Sequence, residues 1–65
     1  MKSYSSREII KILEADGWFL VNKVGSHSQF KHPVKKDKVT VTHPRKNIPI
    51  KTIKSIFKQA EIDIK

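Results

Sequence analysis

The chain of 65 residues contains no cysteine. A disulfide framework, a thiolate metal site and a cysteine nucleophile are therefore excluded. The same lack suits a reducing compartment, and a cytoplasmic setting is expected. Glycine is scarce, at 2 residues, so no glycine-rich loop is available to cradle a phosphate. No apolar run is long enough for a membrane span or a signal peptide, so neither membrane insertion nor secretion is expected. Acidic residues are also few, 6 against 14 lysines and arginines.

What is present is positive charge, a formal +8 on a short chain. Small soluble domains carry charge for solubility, but this excess fits nucleic acid or an acidic protein partner better. The lysines are spread over several segments and do not gather on one amphipathic helix, which argues against a membrane surface. The length allows a single domain, residues 1–65. A chain of this size buries only about 60% of its unfolded surface, so its core is marginal.

Ser5-Ser6-Arg7-Glu8 reads as a capping box, with Ser5 as N-cap and Glu8 three residues on. Ile9, Ile12 and Leu13 follow at helical spacing, with Ile10 widening the stripe. Gly17 is placed to end this helix near Ala15 or Asp16. Trp18 to Lys23 is aromatic and β-branched and predicts a strand. Trp18, Phe19 and Leu20 include both parities, which leaves room for one of them on the open sheet face against a partner, but a core role for all three is the expectation. Val24-Gly25-Ser26 makes the turn into a second strand, His27 to His32, which Pro33 ends. Lys35-Lys36-Asp37-Lys38 is a charged loop. Val39 to His43 alternates with period two and predicts the third strand, broken by Pro44. Pro49 opens a second helix, in which Ile50, Ile53, Phe57, Ala60 and Ile64 form one apolar stripe. Lys51, Lys54 and Lys58 repeat on another, solvated face.

The fold class expected is α+β, in the order α-β-β-β-α. The simplest packing is a three-stranded antiparallel sheet with both helices on one face. Double-stranded RNA-binding domains share that order, which is only an analogy where function is concerned.

Strand parity sorts the three histidines. With Phe30 facing the core, Ser28 and His32 share its side, and His27, Gln29 and Lys31 face the other. An imidazole, an amide and an ammonium in a row suit a phosphodiester site. They equally suit the solvated face that antiparallel sheets ordinarily carry. His32 reads as a structural strand-end residue, and His43 as capping the core edge or bonding the loop after it. The histidine spacings match no helical metal motif, and carboxylates are scarce nearby, so no metal is expected. Two anion-binding features remain: Arg45-Lys46-Asn47 leading into the second helix, and Lys35, Lys36 and Lys38 in the hairpin loop. A phosphate path of this kind holds backbone and not sequence.

The run Gly25-Ser26-His27-Ser28-Gln29-Phe30-Lys31-His32-Pro33 resembles the signature of HicA-type toxins. Similar too are Val39-Thr40-Val41-Thr42-His43-Pro44, the segment from Ile48 to Ala60, and the opening from Ser6 to Trp18. Together these cover nearly the whole chain. The departures are Thr42, where many relatives have proline, and Glu61, where many have glycine. The resemblance implies the toxin of a toxin–antitoxin pair. It further implies a ribosome-independent, metal-free mRNA endonuclease with a fold like a double-stranded RNA-binding domain. Its activity would depend on the histidine of the Gly-Ser-His motif, here His27, and a HicB-type antitoxin would cover it. On this reading RNA contacts come from Gly25, Ser26, Gln29, Lys31, Lys35, Lys36, Arg45 and Lys46. No small-molecule cofactor is expected. The rival reading is a basic module that binds RNA without cutting it.

Overall fold

A computed structural model describes residues 4–62. The elements run α1 (Ser6–Ala15), β1 (Phe19–Val24), β2 (His27–Lys31), β3 (Val39–Thr42) and α2 (Ile50–Gln59). They make an α+β fold with one antiparallel sheet in the order β1-β2-β3.

Local chemistry explains where each helix begins and ends. Ser5 caps α1 through a complete capping box: its hydroxyl accepts from the Glu8 N–H, and the Glu8 carboxylate accepts from the Ser5 N–H. At the other end Gly17, at φ +102°, donates to Glu14 O, and Trp18 N–H donates to Leu13 O at 3.0 Å. That pair of bonds is a Schellman motif, and it turns the chain from helix into β1. The same motif closes α2, with Glu61 N–H on Lys58 O and Ile62 N–H on Phe57 O. Here the left-handed position, φ 54°, falls on Glu61. A glycine would take this conformation without strain, and glutamate does not.

Gly25, at φ +58°, and Ser26 form the turn between Val24 and His27, which pair across it. The β1–β2 register shifts between Leu20 and Asn22, a bulge that leaves Val21 unpaired. β2 then pairs with β3, His27 opposite Thr42 and Phe30 opposite Val39.

Both helices lie on the face carrying Phe30, Val39 and Val41, and their apolar residues close the core with Trp18 and Ile48. On α1 the buried residues are Ile9 and Leu13. On α2 they are Ile53, Ile56 and Phe57, with Ala60 just beyond its last turn. The expected α2 stripe is therefore corrected by one neighbour: Ile50 is 43% exposed and Ile56 is buried. Ile48, tied to Tyr4 by a backbone bridge, is the residue buried at the N-terminal end of that helix. Ile64 lies outside the described residues.

A second correction concerns β1. Trp18 is buried just before the strand, but Phe19 and Leu20 are about half exposed, and every other residue of β1 is exposed too. The helices pack on β3 and the adjoining side of β2, so the outer edge strand has no helix above it.

Candidate functional site

Burial along β2 follows the expected parity: Ser28 and Phe30 are buried, while His27 and Lys31 are exposed. The register fills out the open face around them. Val24 flanks His27 on β1 and Thr42 flanks it on β3, while Asn22 and Thr40 flank Gln29. Phe19 sits beside Lys31. The His27 ring has no hydrogen-bond or ion-pair partner among the described residues. Its backbone is nonetheless held, because His43 N–H donates to Ser26 O at 2.7 Å and pins the turn. An imidazole so placed is free to exchange a proton with a ligand.

Distance decides which cation can join His27 at one phosphate. Lys31 is four residues along the same strand, about 13 Å away between backbones. It therefore matches a neighbouring phosphate better than the one at the imidazole. Arg45 and Lys46 leave the end of β3 directly beyond the His43–Ser26 bond.

The other two histidines are engaged structurally. His32 Nδ1 accepts from the N–H groups of Val34 and Lys35, at 3.0 and 3.1 Å, so it carries no proton there. Nε2 then carries the proton and donates to Asp16 O at 2.7 Å. The ring also meets Trp18 edge-on at 5.3 Å. This single side chain ties the β2–β3 loop to the end of α1. Gly17 makes the approach possible, since a Cβ there would lie 2.9 Å from His32 Nε2.

Lys35 reinforces the same junction. Its ammonium donates to the Asp16 carboxylate at 2.5 Å, to Ala60 O at 2.8 Å and to Glu61 O at 3.2 Å. All three of its donors are used, so Lys35 is taken up by the fold and is not presented to a phosphate. The Lys35 ammonium holds the Asp16 carboxyl below its usual range, and the Trp18 indole N–H adds in the same sense. Modest desolvation opposes them. Lys36, by contrast, is exposed in the loop.

His43 turns to the helix side. Its Nδ1 lies 2.6 Å from Ser6 Oγ, and the same hydroxyl accepts from Arg45 N–H at 2.9 Å. Ser6 N–H in turn donates to Arg45 O at 2.9 Å. Beside this seam is an open cavity of about 600 Å³, lined among others by Arg7, His43, Arg45 and Lys46. His27 and His43 thus lie on opposite sides of the sheet and do not make an acid–base pair. The sequence reading missed Ser6 and Arg7, because the capping box accounts for that segment without them. The signal available was a second serine that a cap does not need.

Among the described residues no group of three or more His, Asp or Glu side chains could hold a metal ion. No helix there is long and apolar enough to cross a membrane. A comparison with curated proteins gave no match. The family described as "HicA toxin of bacterial toxin-antitoxin" matches residues 6–62, which takes in both helices, the sheet and the Gly25-Ser26-His27 turn. On that match the chain belongs to the HicA toxin family of bacterial toxin–antitoxin systems.

Proposed function

We propose that this toxin acts in the cytoplasm as a metal-independent endoribonuclease on mRNA, with His27 as its catalytic acid and base. The observation that carries the proposal is the contrast among the three imidazoles. His32 and His43 are bound into the fold, and His27 alone is exposed with no partner among the described residues.

The chemistry needs only groups an imidazole can serve. Neutral His27 takes the proton of a ribose 2′-OH. The 2′-oxygen attacks the adjacent phosphorus, and the bond to the 5′-oxygen of the next nucleotide breaks. The imidazolium returns its proton to that leaving oxygen. The products are a 2′,3′-cyclic phosphate and a free 5′-hydroxyl. Histidine is the side chain that most readily serves as both proton acceptor and proton donor. Arg45 and Lys46 would hold a phosphate of the same strand beyond the scissile one. Gly25, Ser26 and Gln29 line the imidazole's surroundings, and Lys31 and Lys36 take neighbouring phosphates. A HicB-type antitoxin would silence the enzyme by covering the open sheet face.

The test is incubation of a single-stranded mRNA in EDTA with wild type and with His27→Ala. Cleavage by wild type alone is expected, and a deoxy oligonucleotide of the same sequence should stay intact. Cleavage by both proteins, or of DNA at the same rate, would sink the proposal. RNA binding without cleavage at any pH would favour a non-catalytic binding module.

A further inference from the structure

We propose that the cavity between the first turn of α1 and the β3–α2 loop is a second phosphate-binding subsite, holding an RNA strand away from the phosphodiester at His27. The proposal rests on RNA being the ligand of this chain and deepens that reading.

The charge of the cavity is one-sided. Arg7, His43, Arg45 and Lys46 line it, and no carboxylate does. Neither Arg7 nor Lys46 has an ion-pair or hydrogen-bond partner among the described residues. Among the described residues the Arg45 side chain donates through Nε alone, to Asn47 O at 3.2 Å. Its terminal nitrogens are left as the fork that matches phosphate oxygens. A volume of about 600 Å³ is within the range of small-ligand pockets.

Arg7 is also badly placed for stability alone. It is the second residue of α1, near the positive end of the helix dipole, where a cation is unfavourable and an anion is favoured. Like charges gathered without an acid cost the fold something, and a bound phosphate would reverse that cost.

The back wall is rigid. Ser6 is buried, and it exchanges hydrogen bonds with Arg45 through both its N–H and its hydroxyl. The same hydroxyl fixes the His43 ring. His43 N–H also bonds Ser26 O, so the cavity and the His27 turn share one frame. An RNA strand passing round this end of the sheet meets the imidazole on one side and the cavity on the other.

The experiment uses the full chain with His27→Ala, so that RNA is not consumed. Binding of a fluorescent single-stranded RNA is followed by anisotropy over a range of salt. Adding Arg7→Gln and Lys46→Gln together should weaken binding about tenfold at low salt. The salt slope should fall by about 0.7 for each phosphate that is no longer neutralised. Removing the same charge elsewhere, with Lys54→Gln and Lys58→Gln on α2, should change both much less. All four positions are exposed, and thermal melting confirms that each variant folds. Equal effects of the two pairs, or an unchanged slope with the first, would overturn the subsite. Polyglutamate binding as tightly as RNA, with the same dependence on Arg7 and Lys46, would assign the cavity to an acidic protein instead. Wild type that binds RNA with this dependence yet never cuts it would refute the ribonuclease and leave the subsite standing.

Discussion

His27, His32 and His43 share one side chain and have three different surroundings. His32 holds three hydrogen-bonded groups in a half-buried place, so His32→Ala should cost about 1–3 kcal/mol. His27→Ala should fall within about 0.5 kcal/mol of wild type, since it removes an exposed ring without partners. Urea titration of both variants reads the difference, and equal losses would contradict the assignment. Asp16 supplies a pH dependence. Its folded carboxyl titrates below its unfolded one, mainly because of Lys35. The stability it adds is present above the ordinary carboxylate value of about 3.9 and is lost as pH falls through the lower folded one. Asp16→Asn should therefore melt lower than wild type at neutral pH, and the gap should close in acid; a gap independent of pH would contradict this. Strand parity was enough to expose His27 and bury Ser28 and Phe30 from the sequence. The His32–Asp16 bond was not legible, because it joins residues far apart in the chain across a gap that only Gly17 leaves open.

At the scale of elements, one motif closes both helices, with glycine at its left-handed position in α1 and glutamate in α2. A side chain in that conformation costs about 1 kcal/mol or somewhat more. Glu61→Gly should thus raise the melting temperature by about 4–8 °C. Gly17→Ala should lower it by at least as much, since strain there adds to the encroachment on His32. Differential scanning calorimetry checks both, and a Glu61→Gly variant that melts lower would show the glutamate to have another role. The capping box, Gly17 and the prolines place α1, the three strands and the start of α2 to within a residue or so in the sequence, whereas the expected stripe ran on to Ile64 and α2 ends at Gln59. The buried face of α2 was harder. Ile50, Ile53 and Phe57 fit a helical stripe as well as Ile53, Ile56 and Phe57 do, and only packing against β3 chooses between them.

As a whole the molecule is a slab about 17 Å thick, one sheet under one layer of helices. The helical layer does not reach β1. Phe19, Leu20 and Val24 are consequently exposed at 48, 52 and 60%, on an edge strand with free backbone groups. Phe19→Lys should leave the melting temperature nearly unchanged; a large loss of stability would mean that the ring packs where the structure leaves it open. Composition cannot reveal this bare edge. Whether an apolar strand is covered depends on where two distant helices come to rest, and β1 has the residue types of a strand that would be. The cationic cavity was half legible for a similar reason: Arg45 and Lys46 stood out, but Arg7 comes to them only through Ser6.

The junction at Lys35 belongs beside the first property of the chain, the lack of cysteine. One ammonium gathers the carboxylate after α1, the loop after β2 and the carbonyls after α2. Proteins of this size often secure such a meeting point covalently. Here the clasp is ionic, so a reductant has nothing to cut, while protons can undo it. This junction loosens with acidity, and the redox state of its surroundings is left out of the matter.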